Sequence, residues 1–367
     1  MSEAPGAMPQ AGELERGSME STEMVATFEE RDRTPLQAVQ HFLHGNPAMV
    51  PLIVLILSVI AFAVIVGARF YSAFALTLIL QQVAITGIVA TAETIVILTA
   101  GIDLSVGAIM VLSSVVMGRF AIHYGAPGWL AVIAGLVIGS LCGFVNGALI
   151  AKVKLPPFIV TLGSWSVFGA ANFIYSNNET IRAQDVTARA PILQFFGNSI
   201  RVHHSVPILG NAVLTYGVIL MVLLAGVFWY VLNQTAWGRH VYAVGDDPES
   251  AMLAGIRVDR MLIAVYTVTG FICALAGWAL IGRIGAVSPQ AGQLENINAI
   301  TAVVIGGTSL FGGRGSILGT LFGALIVGVF SLGLRLWGTD PQWTELTVGA
   351  LIVVAVAIDQ WIRKVSA

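Results

Sequence analysis

Charge is what this 367-residue sequence has least of. Asp, Glu, Lys and Arg together make up 10% of it, against 56% hydrophobic residues and a mean hydropathy of +0.85. Soluble domains carry roughly a quarter charged residues, so this chain cannot cover a water-facing surface of its size and has lipid as its main solvent. A formal net charge of -2 excludes an electrostatic surface for nucleic acid. Cysteine is scarce too. Cys142 and Cys273 both sit inside apolar runs, which excludes a disulfide framework and reads as two small buried thiols. Residues 1–33 lack the apolar core of a cleavable leader. They carry Glu13, Glu15, Glu20, Glu23, Glu29 and Glu30 and read as a disordered cytoplasmic tail. Hydrolase motifs are missing as well: there is no His-Glu-x-x-His and no Gly-x-Ser-x-Gly. The pair His203-His204 falls in a polar stretch and reads as solvated.

What is abundant is glycine, 40 residues of it, and long apolar runs. A crossing helix needs about 20 apolar residues, because the hydrocarbon core is about 30 Å thick and each residue rises about 1.5 Å. Runs over residues 48–68, 74–99, 104–118, 127–151, 158–175, 211–232, 261–282, 297–311, 316–334 and 343–362 meet or approach that need. The fold class expected is therefore all-α, a polytopic transmembrane bundle of about ten spans. Ahead of it, Thr34 and Pro35 suit a helix start, and Leu36, Val39, Phe42 and Leu43 recur at helical spacing before Gly45-Asn46-Pro47. Residues 1–47 thus form a tail with a short interfacial helix, 48–362 the membrane domain and 363–367 a cytoplasmic end.

Lys and Arg set the orientation. With both termini in the cytoplasm, eleven of the 18 basic residues, including Lys152, Lys154 and Lys364, fall on the inside and seven on the outside. The polar stretch 177–210 is then an outer loop and 233–260 an inner one. Gly135, Gly139, Gly143 and Gly147 recur every fourth residue on the fourth span, and Gly315, Gly319 and Gly323 repeat the device near the ninth. Both read as smooth faces for packing within one subunit.

Polar residues inside apolar spans mark where a path for solute could run, since a charge at membrane depth faces the interior or a wet cavity. Gln81, Gln82, Glu93, Asp103, Asn146 and Asn172 make up that set. Glu93 lies about two turns before Gly101 on a continuous helix, so it reads equally as pathway or as structural hydrogen-bond acceptor. Asp103, in Asp-x-Ser between Gly101 and Gly107, reads first as an N-cap for the third span. Asn146 and Asn172 suit interhelical hydrogen bonds. Gly307 to Arg314 superficially resembles a phosphate-binding loop, but the required Lys-Ser/Thr is missing after Gly312.

Three stretches carry a resemblance. Ile97 to Gly107, Thr235 to Ile256 and Ala299 to Gly319 closely resemble, in that order, signatures of the ribose-type monosaccharide permeases of ATP-binding-cassette (ABC) importers. The resemblance spans roughly residues 50–362. It implies a homodimer in the bacterial inner membrane, with a solute path along the subunit interface. It also implies a cytoplasmic ATPase with two nucleotide domains, a periplasmic sugar-binding protein, and no cofactor in this chain itself, ATP being bound by the partner. The inner loop would hold a short coupling helix docking on the ATPase, carried here by Gly245, Asp247, Pro248, Glu249, Ala251, Ala254 and Gly255. One departure is Asp247, where the pattern suggests Asn. A ribose- or fructose-like sugar is the expected cargo. The alternatives are a permease for branched-chain amino acids or nucleosides, and an ion-coupled secondary transporter using Glu93.

Overall fold

A computed structural model describes residues 48–203 and 211–366. The tail and surface helix expected over residues 1–47 lie outside the described residues, as does His204. The described residues are mostly helical. Its elements are α1 (Met49–Val66), α2 (Ala73–Leu98), α3 (Val106–Gly118), α4 (Gly128–Lys152), α5 (Pro157–Ser176), α6 (Ala183–Arg189), α7 (Tyr216–Gln234), α8 (Ala236–Asp246), α9 (Pro248–Leu253), α10 (Val258–Ile284), α11 (Glu295–Ile305), α12 (Ile317–Trp337) and α13 (Pro341–Ser366). Two three-residue strands, β1 (Ser199–Arg201) and β2 (Val213–Thr215), pair antiparallel. Among the described residues eight helices are long and apolar enough to cross a membrane: α1 to α5, α7, α10 and α12, with α3 extended to His123. With α11 and α13 these account for the ten segments expected.

Burial follows from composition. α2 is apolar on all sides, and every residue from Val83 to Leu98 is buried, as a helix at the centre of a bundle requires. α3 is buried throughout, from Val106 to Gly118. α10 packs on α4, α3 and α2, while α12 packs on α2, α11 and α1. The glycine face of α4 is what brings α10 so close. A Cβ at Gly143 would overlap the Tyr266 carbonyl, one at Gly139 would lie 2.6 Å from the Gly270 oxygen, and one at Gly147 2.9 Å from Ile263 Cα. These glycines therefore pack within the chain, backbone on backbone. Gly319 and Gly323 do the same against Gly306 and Ala302, whereas Gly315 lies ahead of α12 and faces Thr308.

Several boundaries depart from expectation for local reasons. The sixth span starts at Tyr216, because Val213–Thr215 pairs with β1 and the Val213 N–H donates to Thr77 Oγ1 at 2.8 Å. α3 runs on past Gly118 into a π-type turn over Arg119–His123, so Arg119, expected in an outer loop, is buried. Its guanidinium donates to the Ser176 carbonyl at 3.2 Å and lies 5.8 Å from the centre of the Tyr175 ring. The eighth segment is the short α11, eleven residues, since the glycines from Gly306 to Gly315 do not continue the helix. At about 16 Å it cannot cross the membrane alone.

The α4–α10 contact predicts a contrast between two glycines. Gly143→Ala should destabilise the protein by about 1–3 kcal/mol, because the helices must separate. Gly163→Ala on α5, where nothing lies within 4 Å, should shift stability by at most about 1 kcal/mol, in the favourable direction. Thermal unfolding in detergent reads both; equal midpoints would contradict the packing described.

Candidate functional site

The turn joining α2 to α3 is the first part of the site. The Thr99, Ala100 and Gly101 N–H groups donate to the carbonyls of Val96 and Ile97, and Ala100 takes a left-handed φ of 59°. This sends residues 101–105 back alongside α2. The Asp103 N–H donates to Glu93 Oε1 at 3.0 Å. Glu93 lies five residues before the end of α2, so the turn climbs about 7.5 Å back into the bundle. There the Asp103 Oδ1 accepts from the Ser105 N–H at 2.8 Å and from its hydroxyl at 2.6 Å. Asn146 Nδ2 donates to Ser105 Oγ at 2.9 Å, and the Ser164 hydroxyl donates to Asn146 Oδ1 at 2.5 Å. Thr161 Oγ1 donates to the Ile102 carbonyl at 2.9 Å.

Glu93, Asp103 and Asn146 are thus brought together, all at 0% exposure. They secure a non-helical segment from three sides. Asp103 closes an Asx turn onto Ser105 rather than capping α3, because Ser105 is the residue that precedes the helix.

A cavity of about 350 Å³ opens on the far face of α3. Its walls are Gly107, Ala108 and Val111 of α3, a row on α5 that includes Trp165, Ser166, Asn172 and Phe173, and Pro289 and Gln293 from the segment before α11. α11 begins against the start of α3: Asn296 Nδ2 donates to the Leu104 carbonyl at 3.1 Å, and a Cβ at Gly107 would lie 3.2 Å from the Asn296 nitrogen. Two helix N-termini therefore meet inside the bundle, an arrangement that transporters use at their solute sites. Asn172 Nδ2 donates to the Pro289 carbonyl at 2.8 Å, while its Oδ1 has no hydrogen-bond partner among the described residues. Among the described residues no charged side chain lines the cavity.

The segment between α7 and α10 forms two helices. Asp247 ends α8 and caps α9, its Oδ1 accepting from the Glu249 and Ser250 N–H groups at 2.9 and 3.2 Å, its Oδ2 from the Ser250 hydroxyl at 2.6 Å. The Ser250 hydroxyl and these amides hold its carboxyl below the usual aspartate range. Pro248 opens α9, Glu249 sits in its first turn, and Gly255, at φ 86°, follows its end.

The family described as "Branched-chain amino acid transport system / permease component" matches residues 75–356. The fructose import permease protein FrcC of Rhizobium meliloti is 67% identical over 367 residues, the whole of both chains. The ribose import permease protein RbsC of Bacillus subtilis is 39% identical over 79% of this chain and 84% of its own. RbsC of Escherichia coli K12 is 34% identical over 84% and 92%. The chain belongs to this permease family. No solved structure matches it.

In this permease the residues expected to form one path divide into separate groups. Glu93, Asp103 and Asn146 hold the enclosed turn; Asn172 lines the cavity. Gln81 and Gln82 are half-buried on the first part of α2, and their side chains hydrogen-bond to none of the described residues. On the segment between α7 and α10 Asp247, Pro248, Glu249, Ala254 and Gly255 are exposed, but Gly245 and Ala251 face inward, Ala251 at 4%. The large exposed apolar residues there are Met252 and Leu253, the latter at 88%. Sequence reasoning did not single them out, nor Trp165 and Gln293 in the cavity. It also passed over Glu295, whose Oε2 accepts from Thr86 Oγ1 at 2.9 Å with Arg283 and Asn298 beside it. The run Glu295-Asn296-Ile297-Asn298 opening an apolar segment was the available signal.

Glu93→Gln keeps an acceptor for the Asp103 N–H, whereas Glu93→Leu leaves that buried amide unpaired. The leucine variant should lose about 1–3 kcal/mol of stability and the glutamine variant much less, read as detergent melting temperature and folded yield. A leucine variant as stable as the parent would remove the turn's proposed anchor.

Proposed function

We propose that this chain is the membrane-spanning subunit of an ATP-driven importer for a monosaccharide, with fructose its cargo. The observation that carries this is identity of 67% along the whole length of a fructose import permease. Geometry supports the solute class. At about 350 Å³ the cavity is at the small end of ligand pockets, which run about 300–1,000 Å³. Its amides at Asn172 and Gln293 and hydroxyl at Ser166 suit a polyol, and Trp165 and Phe173 offer apolar faces to a sugar ring. An amino acid would bring a carboxylate and an ammonium into a lining that holds no charged partner, which is unfavourable away from water.

In this reading the chain performs no chemical step. A second copy completes the path along the subunit interface, where the cavity adjoins the exposed side of α5. A cytoplasmic ATPase docks on α9 through Met252 and Leu253 and binds the ATP. A periplasmic binding protein selects the sugar and delivers it from outside. ATP-driven movement of the docked helices then alternates outward- and inward-open states. Glu93 serves the fold rather than a proton path, because its carboxyl group is enclosed and accepts the Asp103 N–H.

Uptake of radiolabelled fructose into vesicles tests this. Uptake should need the ATPase, the binding protein and ATP together, and should exceed ribose uptake. Uptake by this chain alone on a proton gradient would overturn the reading in favour of a secondary transporter. Leu253→Asp should lower ATPase co-purification by about tenfold or more, the effect of losing a buried apolar anchor; unchanged co-purification would remove α9 as the docking element.

A further inference from the structure

The three stretches that carry the family resemblance are far apart in sequence and meet at one backbone junction. At the end of α2 the Leu98 carbonyl accepts the Gly313 N–H at 3.1 Å. Gly245, in the last turn of α8, lies against that same pair: a Cβ there would overlap the Leu98 oxygen and come 2.8 Å from the Gly313 nitrogen. Gly312, at φ 83°, is wedged beside them, and its Cβ would fall 2.5 Å from the Gly245 oxygen and 2.8 Å from Ala100 Cβ. A second tie runs alongside, the Tyr242 hydroxyl donating to the Gly315 carbonyl at 3.0 Å. At Gly245 no side chain separates the segments, so no rotamer change can absorb a displacement there.

Both sides of the junction are stiff as well. Asp247 ends α8 and caps α9, which leaves no linker between the two helices. On the other side Ala100 leads into the 101–105 turn, which Glu93, Thr161 and Asn296 hold in place. The residues that follow, Gly107 and Ala108, are cavity wall.

We propose that the contact of Gly245 with Leu98 and Gly312-Gly313 is the point through which movement of α9 reaches the solute cavity, with Gly245 its positioning residue. This role rests on the importer reading above. Close-packed interfaces shift between discrete arrangements rather than deforming smoothly, so a joint of bare backbone passes the movement of α8 to the α2–α3 turn undiminished.

The test measures sugar imported per ATP hydrolysed, in proteoliposomes holding the permease, its ATPase and its binding protein. Gly245→Ala should still co-purify with the ATPase and hydrolyse ATP, while the sugar-to-ATP ratio falls about tenfold or more. Tyr242→Phe, which adds no bulk, should lower the ratio by about threefold through loss of one hydrogen bond. If Gly245→Ala fails to assemble, Tyr242→Phe decides: a lowered ratio supports the junction and an unchanged one overturns it. Uptake and hydrolysis falling in proportion in Gly245→Ala would also overturn it. A parent complex that imports sugar without the ATPase would instead remove the importer reading, and the junction's role with it.

Discussion

Backbone that leaves the helix inside a membrane protein must find its hydrogen bonds within the protein, because no water is there to supply them. In this chain that constraint falls on residues 99–105, and the Glu93 carboxylate meets it by accepting the Asp103 N–H. Asp103 accepts the Ser105 N–H, Thr161 of α5 and Asn296 of α11 donate to the Ile102 and Leu104 carbonyls, and Asn146 and Ser164 brace the Ser105 hydroxyl from α4 and α5. The turn thereby fixes where α3 begins. The start of α3 fixes one wall of the cavity, and the cavity's other walls come from α5 and the segment before α11.

Glycine supplies the second constraint. α10 can approach α4, and α12 can approach α11, only where no Cβ intervenes, so the bundle is held by backbone contacts at membrane depth. The same device recurs at the end of α2, where Gly245, Gly312 and Gly313 let three segments touch. The segment that carries the exposed α9 is therefore joined directly to the turn that shapes the cavity. The cavity and α9 occupy different parts of the chain, yet only a few residues of tightly packed backbone lie between them.

Much of this was legible in the sequence, for physical reasons that differ by element. Apolar length marked the long helices, since a bilayer imposes one span length on every crossing segment. The family resemblance, with Pro248 suiting a first turn and Gly255 a stop, placed a short helix at about Asp247 to Gly255, and α9 runs from Pro248 to Leu253. The four-residue glycine period on α4 marked a close helix contact. What stayed hidden depended on partners distant in sequence. Nothing local distinguishes the buried Glu93 and Asn146 from the cavity-lining Asn172; only the turn at 101–105 separates them. Ala251 looked available for docking until α9 was seen to turn it inward. Arg119 looked like a loop residue because its hydrogen-bond acceptor, the Ser176 carbonyl, is 57 residues away.

The central claim is that solute travels beside α5 and not through the enclosed cluster around Glu93. Thiol accessibility during turnover tests it most directly, in a complex whose permease has Cys142 and Cys273 replaced. With Ser166→Cys, on the cavity wall, a small water-soluble thiol reagent should react during ATP hydrolysis, and imported sugar should slow the reaction. With Ala90→Cys, about one turn before Glu93 on α2 and fully buried, the reagent should not react. Labelling of the Ala90→Cys protein that sugar slows, with the Ser166→Cys protein inert, would place the path through the cluster and contradict the account.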